Sequence, residues 1–507
     1  MTLYNNRIIE LIDQLNPSQL LLETNREVFR AGDLIQESRS LAQKLLCHGM
    51  KLKDRVVIAS EPGIDFVKIM FATMMIGAEV AIIDPEMGHE NYQNKLNQFQ
   101  PSWVFLDARI FLIQRHSLLR KIYFWWRKNG LYFPPSPSIK KILTGPKIPF
   151  LGEHLRLDKL ELSTSGEKIN FEYRNNDPGY LITYTSGTTD EPKGVFHSIN
   201  SLTNSILQVA DLIKFDQPQI LATHLPHFML IGACAGIGVK LWKSTDNARK
   251  RLNFIRKNNI TTLFGPPAEY LILMKYCEAK GVKLPSSLSH VLLGSAPVNK
   301  PFLKKLLSFL PAQTKITCIY GMTENLVACT IDGREKLNYD CKGDPLGKPI
   351  KNVELKIKED GEIFIKSPQL FKKYYHLDSR MEWHATGDLG FMDQNGNLIL
   401  TGRKKEMIIR RNFNLYPALY EPTIKKIPGI DEAVMIGRYS EEIADEEVFL
   451  IIESEQKMNP AKIRNQLEYG KYSIDKEAWP DQILFKAIPR KGRQQKIDRK
   501  GLEASLK

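Results

Sequence analysis

The sequence predicts an α/β fold in which a large layered N-terminal domain precedes a small α+β C-terminal domain. Two stretches, Asp54–Pro85 and Ile260–Pro297, each have the order strand, helix, strand, which is the unit that builds a parallel sheet covered by helices. After Ile399 the pattern changes to a basic, turn-rich connection. A chain of 507 residues is also too long for one compact core, which favours two domains.

The first βαβ unit is defined by its apolar pattern. The β-branched residues of Val56–Ile58 predict a strand, an apolar helical pattern runs to Met75, and Gly77 ends that helix before a buried strand at Val80–Ile83. The same alternation returns in Ile260–Pro297. Both units together predict that the large domain is layered α/β.

The C-terminal region has its own pattern of elements. We place the boundary near Gly402, so that residues 1–402 form the large domain and residues 403–507 the small one. The small domain is predicted to contain a short helix and two strands, at Ala418–Lys426, Glu432–Arg438 and Glu447–Glu453.

Composition predicts a soluble cytoplasmic protein. Hydrophobic residues make up 43% and charged residues 25% of the chain, as in ordinary globular proteins. The N-terminus lacks the apolar stretch of a signal peptide, and the longest apolar runs are shorter than the ~18 residues that span a bilayer. The six cysteines are scattered singly, which favours free thiols in a reducing compartment.

Much of the net charge of +14 comes from one region. Residues 108–152 contain nine Lys or Arg and no acidic residue. In residues 117–128 a helical wheel separates an apolar side from a basic side. The apolar side carries Leu118, Leu119, Ile122, Tyr123, Trp125 and Trp126, and the basic side Arg120, Lys121, Arg127 and Lys128.

Three interpretations of this basic helix stay open. It resembles an interfacial membrane anchor, which would place the protein peripherally on the inner face of the membrane. It is equally explained by a helix that packs on the domain and leaves a basic face in solvent. Nucleic-acid binding is not expected, since no recognition motif accompanies the charge.

The loop Tyr184–Val195 has the composition of a phosphate-binding loop. An apolar strand precedes hydroxyl groups at four positions, a glycine that lets backbone N–H groups approach a ligand, and one lysine. These residues are Thr185, Ser186, Gly187, Thr188, Thr189 and Lys193. They suit an oligophosphate, and the alternative is a surface turn rich in Ser and Thr.

The loop resembles the phosphate-binding signature of the adenylate-forming (AMP-binding) superfamily, which includes acyl-CoA synthetases, luciferases and the adenylation domains of peptide synthetases. Further stretches match that superfamily in the expected order. They are GSAP (Gly294, Ser295, Ala296 and Pro297), YGMTE (Tyr320–Glu324), TGDLG (Thr386–Gly390), GRKKEMII (Gly402–Ile409) and QKIDR (Gln495–Arg499). The resemblance covers the chain from about Asp54 to its C-terminus and implies the GSAP residues as nucleotide contacts.

The resemblance implies further roles at the nucleotide site. Tyr320 would pack on adenine, Glu324 with Thr323 would hold the Mg²⁺ that bridges the ATP phosphates, and Asp388 would accept the ribose hydroxyls. Arg403 would contact the nucleotide. Taken alone, Glu324 would be a solvated loop acid, Asp388 a turn residue and Arg403 part of a basic linker.

The C-terminal motifs imply a mobile small domain. Lys496 resembles the catalytic lysine that reaches the substrate carboxylate and the α-phosphate, although Gln495 replaces the usual preceding glycine. Lys405 resembles the hinge residue about which the small domain rotates. In the phosphate loop Asp190 stands where the superfamily usually has glycine, and its carboxylate is expected to point outward, away from the phosphates.

The resemblance predicts ATP- and Mg²⁺-dependent activation of a hydrophobic, fatty carboxylic acid through an acyl-AMP intermediate, followed by transfer to coenzyme A. Fatty acyl-CoA synthetases and the β-lactone synthetases of olefin pathways resemble the chain most. Two departures from the acyl-CoA synthetases concern the route by which the thiol of coenzyme A would enter. Met229 stands where these enzymes commonly have a histidine, and His227 lies two places earlier. Arg411 and Asn412 stand in the loop where these enzymes commonly have glycine.

These departures leave other acceptors open. The alternatives are a β-lactone synthetase acting on a β-hydroxy fatty acid, and an acyl-AMP ligase that loads an acyl carrier protein. A non-catalytic scaffold is the alternative of a different class. Five intact residues argue against the scaffold, because it has no chemical need for them: Lys193, Glu324, Asp388, Arg403 and Lys496.

Overall fold

The computed structural model describes the chain apart from short segments. The residues outside the description are 1, 25–26, 84–88, 128–138, 149–153, 163–169, 174–176, 186–192, 214–218, 244–245, 297, 342, 376, 378–381, 404–407, 412, 416, 492–495, 498 and 507. Within helices and strands, the side chains of 89–91, 124–127, 171, 185, 193, 401–403, 414, 418–419, 422, 490–491, 496 and 500 are also outside it.

The first part of the chain alternates strands and helices. Its strands are β1 (Thr2–Asn5), β2 (Leu20–Glu23), β3 (Val28–Arg30), β4 (Arg55–Ala59), β5 (Glu79–Ile82), β6 (Trp103–Asp107), β7 (Lys140–Thr144), β8 (Asn170–Tyr173), β9 (Gly179–Thr185) and β10 (Lys193–Ser198). Its helices are α1 (Arg7–Asp13), α2 (Ala31–Cys47), α3 (Ile64–Ile76), α4 (His89–Phe99), α5 (Ala108–Arg115), α6 (Ser117–Arg127) and α7 (Ile199–Ile213).

The middle part continues the alternation and then becomes mostly strand. Its strands are β11 (Ile220–Thr223), β12 (Gly238–Leu241), β13 (Thr262–Gly265), β14 (His290–Leu293), β15 (Lys315–Met322), β16 (Asn325–Asp332), β17 (Asp344–Pro349), β18 (Glu354–Ile357), β19 (Glu362–Lys366), β20 (Lys373–Tyr374), β21 (His384–Met392) and β22 (Leu398–Arg403). Its helices are α8 (Pro226–Cys234), α9 (Ala248–Lys257), α10 (Pro267–Lys280), α11 (Lys300–Phe309) and α12 (Gly333–Asn338).

The last part forms smaller sheets. Its strands are β23 (Ile408–Arg410), β24 (Phe413–Leu415), β25 (Glu432–Ser440), β26 (Asp445–Glu453), β27 (Gln482–Phe485), β28 (Arg490–Lys491) and β29 (Lys496–Ile497). Its helices are α13 (Pro417–Lys425), α14 (Pro460–Tyr469) and α15 (Arg499–Ala504).

Both βαβ units are confirmed. β4 and β5 pair in parallel with Arg55 opposite Glu79, and α3 connects them. Gly77 ends α3 with φ of 78°, a left-handed conformation that glycine adopts without a steric penalty. β13 and β14 also pair in parallel, with α10 between them in the chain.

Two large sheets with helices between and around them form the layered part of the molecule. A seven-stranded sheet has the order β20-β10-β9-β5-β4-β6-β7, and a thirteen-stranded sheet has the order β18-β19-β21-β22-β17-β16-β15-β14-β13-β11-β12-β2-β3. Alternate residues of β4 enter different cores: Val56 and Ile58 face one, Val57 and Ala59 the other. Burial on both faces explains why these strands are continuously apolar.

Residues from Ile408 onward build their own cores around the sheet β25-β26-β27 and the helices α13, α14 and α15. The short helix and the two strands predicted for this region are confirmed. The boundary itself, between residues 402 and 403, stays a prediction.

Two findings concern the environment of the chain. All six cysteines lie within the described residues as free thiols, and four of them are buried. In the part of the chain that the structure describes, none of the helices combines the length and apolarity needed to cross a membrane.

Candidate active site

The predicted nucleotide contacts lie at the carboxyl ends of parallel strands, where α/β sheets bind their ligands. β13, β14 and β15 are parallel neighbours in the thirteen-stranded sheet. Gly294 and Ser295 follow β14 directly, and Tyr320 lies near the end of β15. Ser295 has φ of 65°, so the chain turns sharply after the strand. Ala296 continues this turn, and Pro297 lies outside the described residues.

Tyr320 and Asp388 form a buried pair. The Tyr320 hydroxyl donates a hydrogen bond to Oδ2 of Asp388 at 2.7 Å, and the two residues are 9% and 4% exposed. Asp388 lies on β21, where its backbone is paired with that of Arg403 on β22. The structure therefore brings together three residues that are separated in sequence, although the side chain of Arg403 is outside the description.

The turn before Asp388 is held by a hydroxyl group. Thr386 Oγ1 accepts a hydrogen bond from the Asp388 backbone N–H at 3.0 Å and donates one to the carbonyl of Ile363 at 2.8 Å. Gly387 between them has φ of 74°, which glycine adopts readily. Thr386 and Gly387 of the TGD motif thus fix the backbone position of Asp388.

Glu324 lies in the tight turn between β15 and β16, next to Thr323. The Tyr374 hydroxyl donates a hydrogen bond to Oε1 of Glu324 at 2.9 Å, and the backbone N–H of Phe371 donates to the Glu324 carbonyl at 2.8 Å. A Cβ atom at Gly321 would lie 2.0 Å from the carbonyl oxygen of Leu326, so this turn requires glycine.

The phosphate loop begins and ends on paired strands. Thr185 at the end of β9 is the register partner of Lys193 at the start of β10. β10 also pairs with β20, where Val195 lies opposite Tyr374, the residue that contacts Glu324. Ser186, Gly187, Thr188, Thr189 and Asp190 lie outside the described residues, as do the side chains of Thr185 and Lys193. The backbone nonetheless connects this loop to the Glu324 turn.

A stacked aromatic pair adjoins the GSAP turn. Phe228 stacks on Phe264, with 3.7 Å between ring centroids and 22° between planes. A Cβ atom at Gly294 would lie 3.4 Å from the Phe264 ring, an ordinary van der Waals distance, so the turn and this ring are neighbours. His227 precedes Phe228 at the start of α8. Its ring is accessible to water, yet the surrounding protein atoms and a charge on His224 lower its pKa to about 4.

His224 belongs to a polar network that the sequence analysis missed. Its Nδ1 accepts a hydrogen bond from Trp242 Nε1 at 3.1 Å, and its Nε2 lies 3.6 Å from Glu269 Oε1. Arg251 Nη1 donates to the other oxygen of Glu269 at 2.9 Å. Burial lowers the pKa of His224, and the effects of Glu269 and Arg251 oppose each other. These residues lie far apart in the chain, and no local motif marks them.

Met229 and Arg411, which depart from the usual residues on the expected route of the coenzyme A thiol, lie in different surroundings. Met229 is fully buried and belongs to the central core. Arg411 keeps φ of 57°, a conformation that favours glycine, and its backbone N–H donates to both carboxylate oxygens of Asp445, at 2.7 and 2.9 Å. Asn412 lies outside the described residues.

Lys496 belongs to a two-stranded sheet near the C-terminus. It lies on β29, whose sheet partner is β28, with Lys491 opposite. None of the hydrogen bonds among the described residues connects this two-stranded sheet with β15 or β21. The Lys496 side chain and the predicted hinge residue, Lys405, are outside the description.

The chain belongs to the AMP-binding enzyme family, whose model matches residues 30–375. It is similar to the 2-succinylbenzoate–CoA ligase of Bacillus subtilis (strain 168), with 25% identity over 454 residues, 84% of this chain and 83% of the relative.

Solved structures of about the same length share the fold. The amide bond synthetase McbA from Marinactinospora thermotolerans superposes with a TM-score of 0.80 at 18% identity, covering 98% of this chain and 99% of that one. The o-succinylbenzoate CoA synthetase from Bacillus subtilis, bound with its product analogue, gives 0.78 at 20% identity, covering 99% and 98%. The fold and the superfamily resemblance predicted from sequence are therefore confirmed.

Proposed function

We propose that this enzyme activates a hydrophobic carboxylic acid, specifically a fatty acid, with ATP and Mg²⁺, and then transfers the acyl group to coenzyme A. One observation carries the proposal. The Tyr320–Asp388 pair joins β15 and β21 of the thirteen-stranded sheet, and Glu324 lies in the turn that follows β15. Tyr374, which contacts Glu324, lies on β20 of the seven-stranded sheet, and β20 pairs with the strand that follows the phosphate loop.

The buried pair fits a nucleoside. The Asp388 carboxylate accepts hydrogen bonds, as ribose hydroxyls require, and the nearby Tyr320 ring offers an apolar surface for adenine. Arg403, opposite Asp388 on β22, is assigned to the same nucleotide. The GSAP turn, with its left-handed Ser295, gives the base a second wall.

Glu324 fits a magnesium site that phosphate completes. Among the described residues no group of three or more His, Cys, Asp or Glu could hold a metal ion by itself. Magnesium, however, is commonly bound by one or two carboxylates together with substrate phosphates. We assign Glu324, with Thr323 beside it, to the ion that bridges the ATP phosphates.

The phosphate loop and the C-terminal lysine complete the proposed chemistry. A carboxylate oxygen of the acid bonds to the α-phosphorus, the bond to the β-phosphate breaks, and pyrophosphate leaves. Loop residues 185–189 and Lys193 would hold the phosphates. Lys496 would stabilise the negative charge that develops at the transferring centre, after the domain of residues 403–507 rotates about Lys405.

The stacked Phe228–Phe264 pair supports an apolar acyl group. It adjoins Gly294, so an acid that enters here would have its carboxyl group near the GSAP turn. Because the surrounding protein atoms and His224 lower the pKa of His227 to about 4, its ring is neutral at pH 7 and offers no positive charge to a second carboxylate. A fatty acid is the substrate that these features favour.

Coenzyme A is the proposed acceptor: its thiolate would attack the acyl carbonyl and release AMP. Arg411 supports the β-lactone alternative, because a bulky residue with φ of 57° stands in the loop where acyl-CoA synthetases commonly have glycine. In that alternative the β-hydroxyl of the substrate attacks its own activated carbonyl and gains from proximity. Loading of an acyl carrier protein is the third outcome to test.

ATP–pyrophosphate exchange tests the first half-reaction. Acids of increasing chain length are supplied with Mg²⁺, and exchange is expected to depend on the acid and to fall in Asp388→Asn and Glu324→Gln. Absence of both exchange and ATP binding would refute the proposal.

Mass spectrometry then identifies the acceptor. A plain fatty acid and a β-hydroxy acid are each incubated with ATP, with and without coenzyme A. Acyl-CoA from the plain acid supports the assignment as a CoA ligase. Lactone formed without coenzyme A overturns that assignment in favour of a β-lactone synthetase. Acyl-AMP that accumulates in every mixture indicates that the missing acyl acceptor is a carrier protein.

A further inference from the structure

Helix α6 exposes apolar side chains instead of burying them. Leu118 is 67% exposed and Ile122, one turn later, is 52% exposed. Leu119 and Tyr123 are half-buried, so they form the side of the helix that faces the protein. The apolar side predicted from the helical wheel is therefore divided, and its outer half lies in solvent.

Basic side chains flank this exposed stripe. Arg120 and Lys121 are exposed, and neither takes part in an ion pair among the described residues. Elsewhere in the region acidic partners are present: Arg109 pairs with Glu61 and Asp107. Lys147 likewise pairs with Asp158, whereas Arg120 and Lys121 of α6 have no such acidic partner among the described residues.

The pKa of a neighbouring histidine indicates that the electrostatic potential near α6 is positive. His154 accepts a contact from Arg115 at 2.9 Å, and its pKa is lowered by burial and by the positive charges of Arg115 and Lys141. Arg115 ends α5, directly before α6. The positive charge thus extends across both helices.

We propose that α6 docks on the surface of an anionic lipid bilayer, with Leu118 and Ile122 in the interface and Arg120 and Lys121 against lipid headgroups. An amphipathic helix with basic flanks binds membranes through both of these contributions. Nucleic acid would satisfy the charges but not the apolar side chains. With 11 residues the helix is about 16 Å long, too short to span a bilayer, so it lies in the interface.

Vesicle flotation of the full chain tests this proposal. The vesicles contain phosphatidylcholine alone or phosphatidylcholine mixed with phosphatidylglycerol, whose anionic headgroups attract basic segments. We expect flotation with the anionic vesicles at low salt and its loss at high salt, because salt screens the attraction. Failure to float with anionic vesicles at low salt overturns the proposal.

Two double variants separate the contributions. Arg120→Gln with Lys121→Gln should lower the partition coefficient roughly fivefold per residue. Leu118→Ser with Ile122→Ser should lower it by about tenfold or more, since the apolar contacts are lost. Because all four side chains are exposed, the thermal midpoint and the pyrophosphate exchange without vesicles should not change, which keeps this test independent of the proposed function.

Matched controls lie on other helices. Ile272→Ser removes a residue that is 56% exposed on α10, and Arg249→Gln with Lys250→Gln removes two exposed charges from α9. If these controls reduce flotation as much as the α6 variants, the proposal is wrong. Light scattering that shows a dimer broken by the Leu118 and Ile122 changes would assign the surface to a second copy. Gel-shift binding of duplex DNA or RNA without flotation would assign it to nucleic acid.

Discussion

Removal of one hydroxyl group, in Tyr374→Phe, should weaken the use of Mg²⁺ without disturbing the fold. The Tyr374 hydroxyl donates to Glu324 Oε1 at 2.9 Å. Its ring packs on Phe371 and His384, at 4.7 and 6.4 Å between centroids, and phenylalanine would preserve these contacts. The variant therefore removes this hydrogen bond to the carboxylate and keeps the ring contacts.

The magnitude follows from the charge and the burial of the pair. A hydrogen bond to an ionised group contributes about 1.5–3 kcal/mol, and the lower part of that range applies because both residues are only half-buried. A loss of about 1.5–2 kcal/mol corresponds to roughly a 10–30-fold higher Mg²⁺ concentration at half-maximal exchange. The maximal rate at saturating Mg²⁺ should change much less.

The assay is pyrophosphate exchange at saturating ATP over a Mg²⁺ titration. Tyr375→Phe is the matched control, because its hydroxyl donates to a different carboxylate, Glu79, at 3.3 Å. The reasoning is refuted if Tyr374→Phe titrates like the unchanged enzyme, or if Tyr375→Phe shifts the Mg²⁺ midpoint equally.

Three further predictions concern the turn, the C-terminal lysine and pH. Gly321→Ala should abolish exchange, since its Cβ would lie 2.0 Å from the Leu326 carbonyl oxygen, whereas Gly63→Ala, with open space around its Cβ, should retain activity. Lys496→Ala should lower exchange by on the order of 100-fold while calorimetry shows unchanged ATP binding, because its contacts matter in the transition state. Burial lowers the pKa of His197 from 6.5 to about 4, so the unfolded chain binds the proton more tightly. The free energy of unfolding should therefore decrease as the pH falls from 6.5 towards 4. His197→Gln should reduce this decrease by up to about 3 kcal/mol, as measured by urea unfolding at both pH values.

Sequence patterns predicted the parts of the fold that depend on near neighbours. The βαβ unit from Arg55 to Ile82 was predictable because its apolar residues and Gly77 are consecutive in the chain. The hydrogen bond between Tyr320 and Asp388 was not, because 68 residues separate them and sheet pairing brings them together. The motifs selected both residues as nucleotide contacts, and the fold explains why they are adjacent.

Other site residues gave no usable sequence signal. Tyr374 lies in the sequence KKYYH, which matches no phosphate or metal motif, and only the pairing of β20 with β10 shows its position. His224 and Glu269 are 45 positions apart and meet because β11 and β13 are neighbouring strands. Amphipathicity predicted helix α6, but periodicity alone could not show which apolar residues remain exposed.

The short strand β20 connects two parts of the proposed ATP site. Its residue Tyr374 pairs with Val195, two positions after Lys193, and also hydrogen-bonds Glu324. A change in β20 would therefore disturb the phosphate loop and Glu324, the residue proposed to bind magnesium, together. Phe264 lies next to Gly294 of the GSAP turn and Phe228 stacks on it, so substitution of this pair should alter the choice of acid more than the affinity for ATP. Nucleotide binding and acid recognition are thus assigned to separate groups of residues that meet at Gly294.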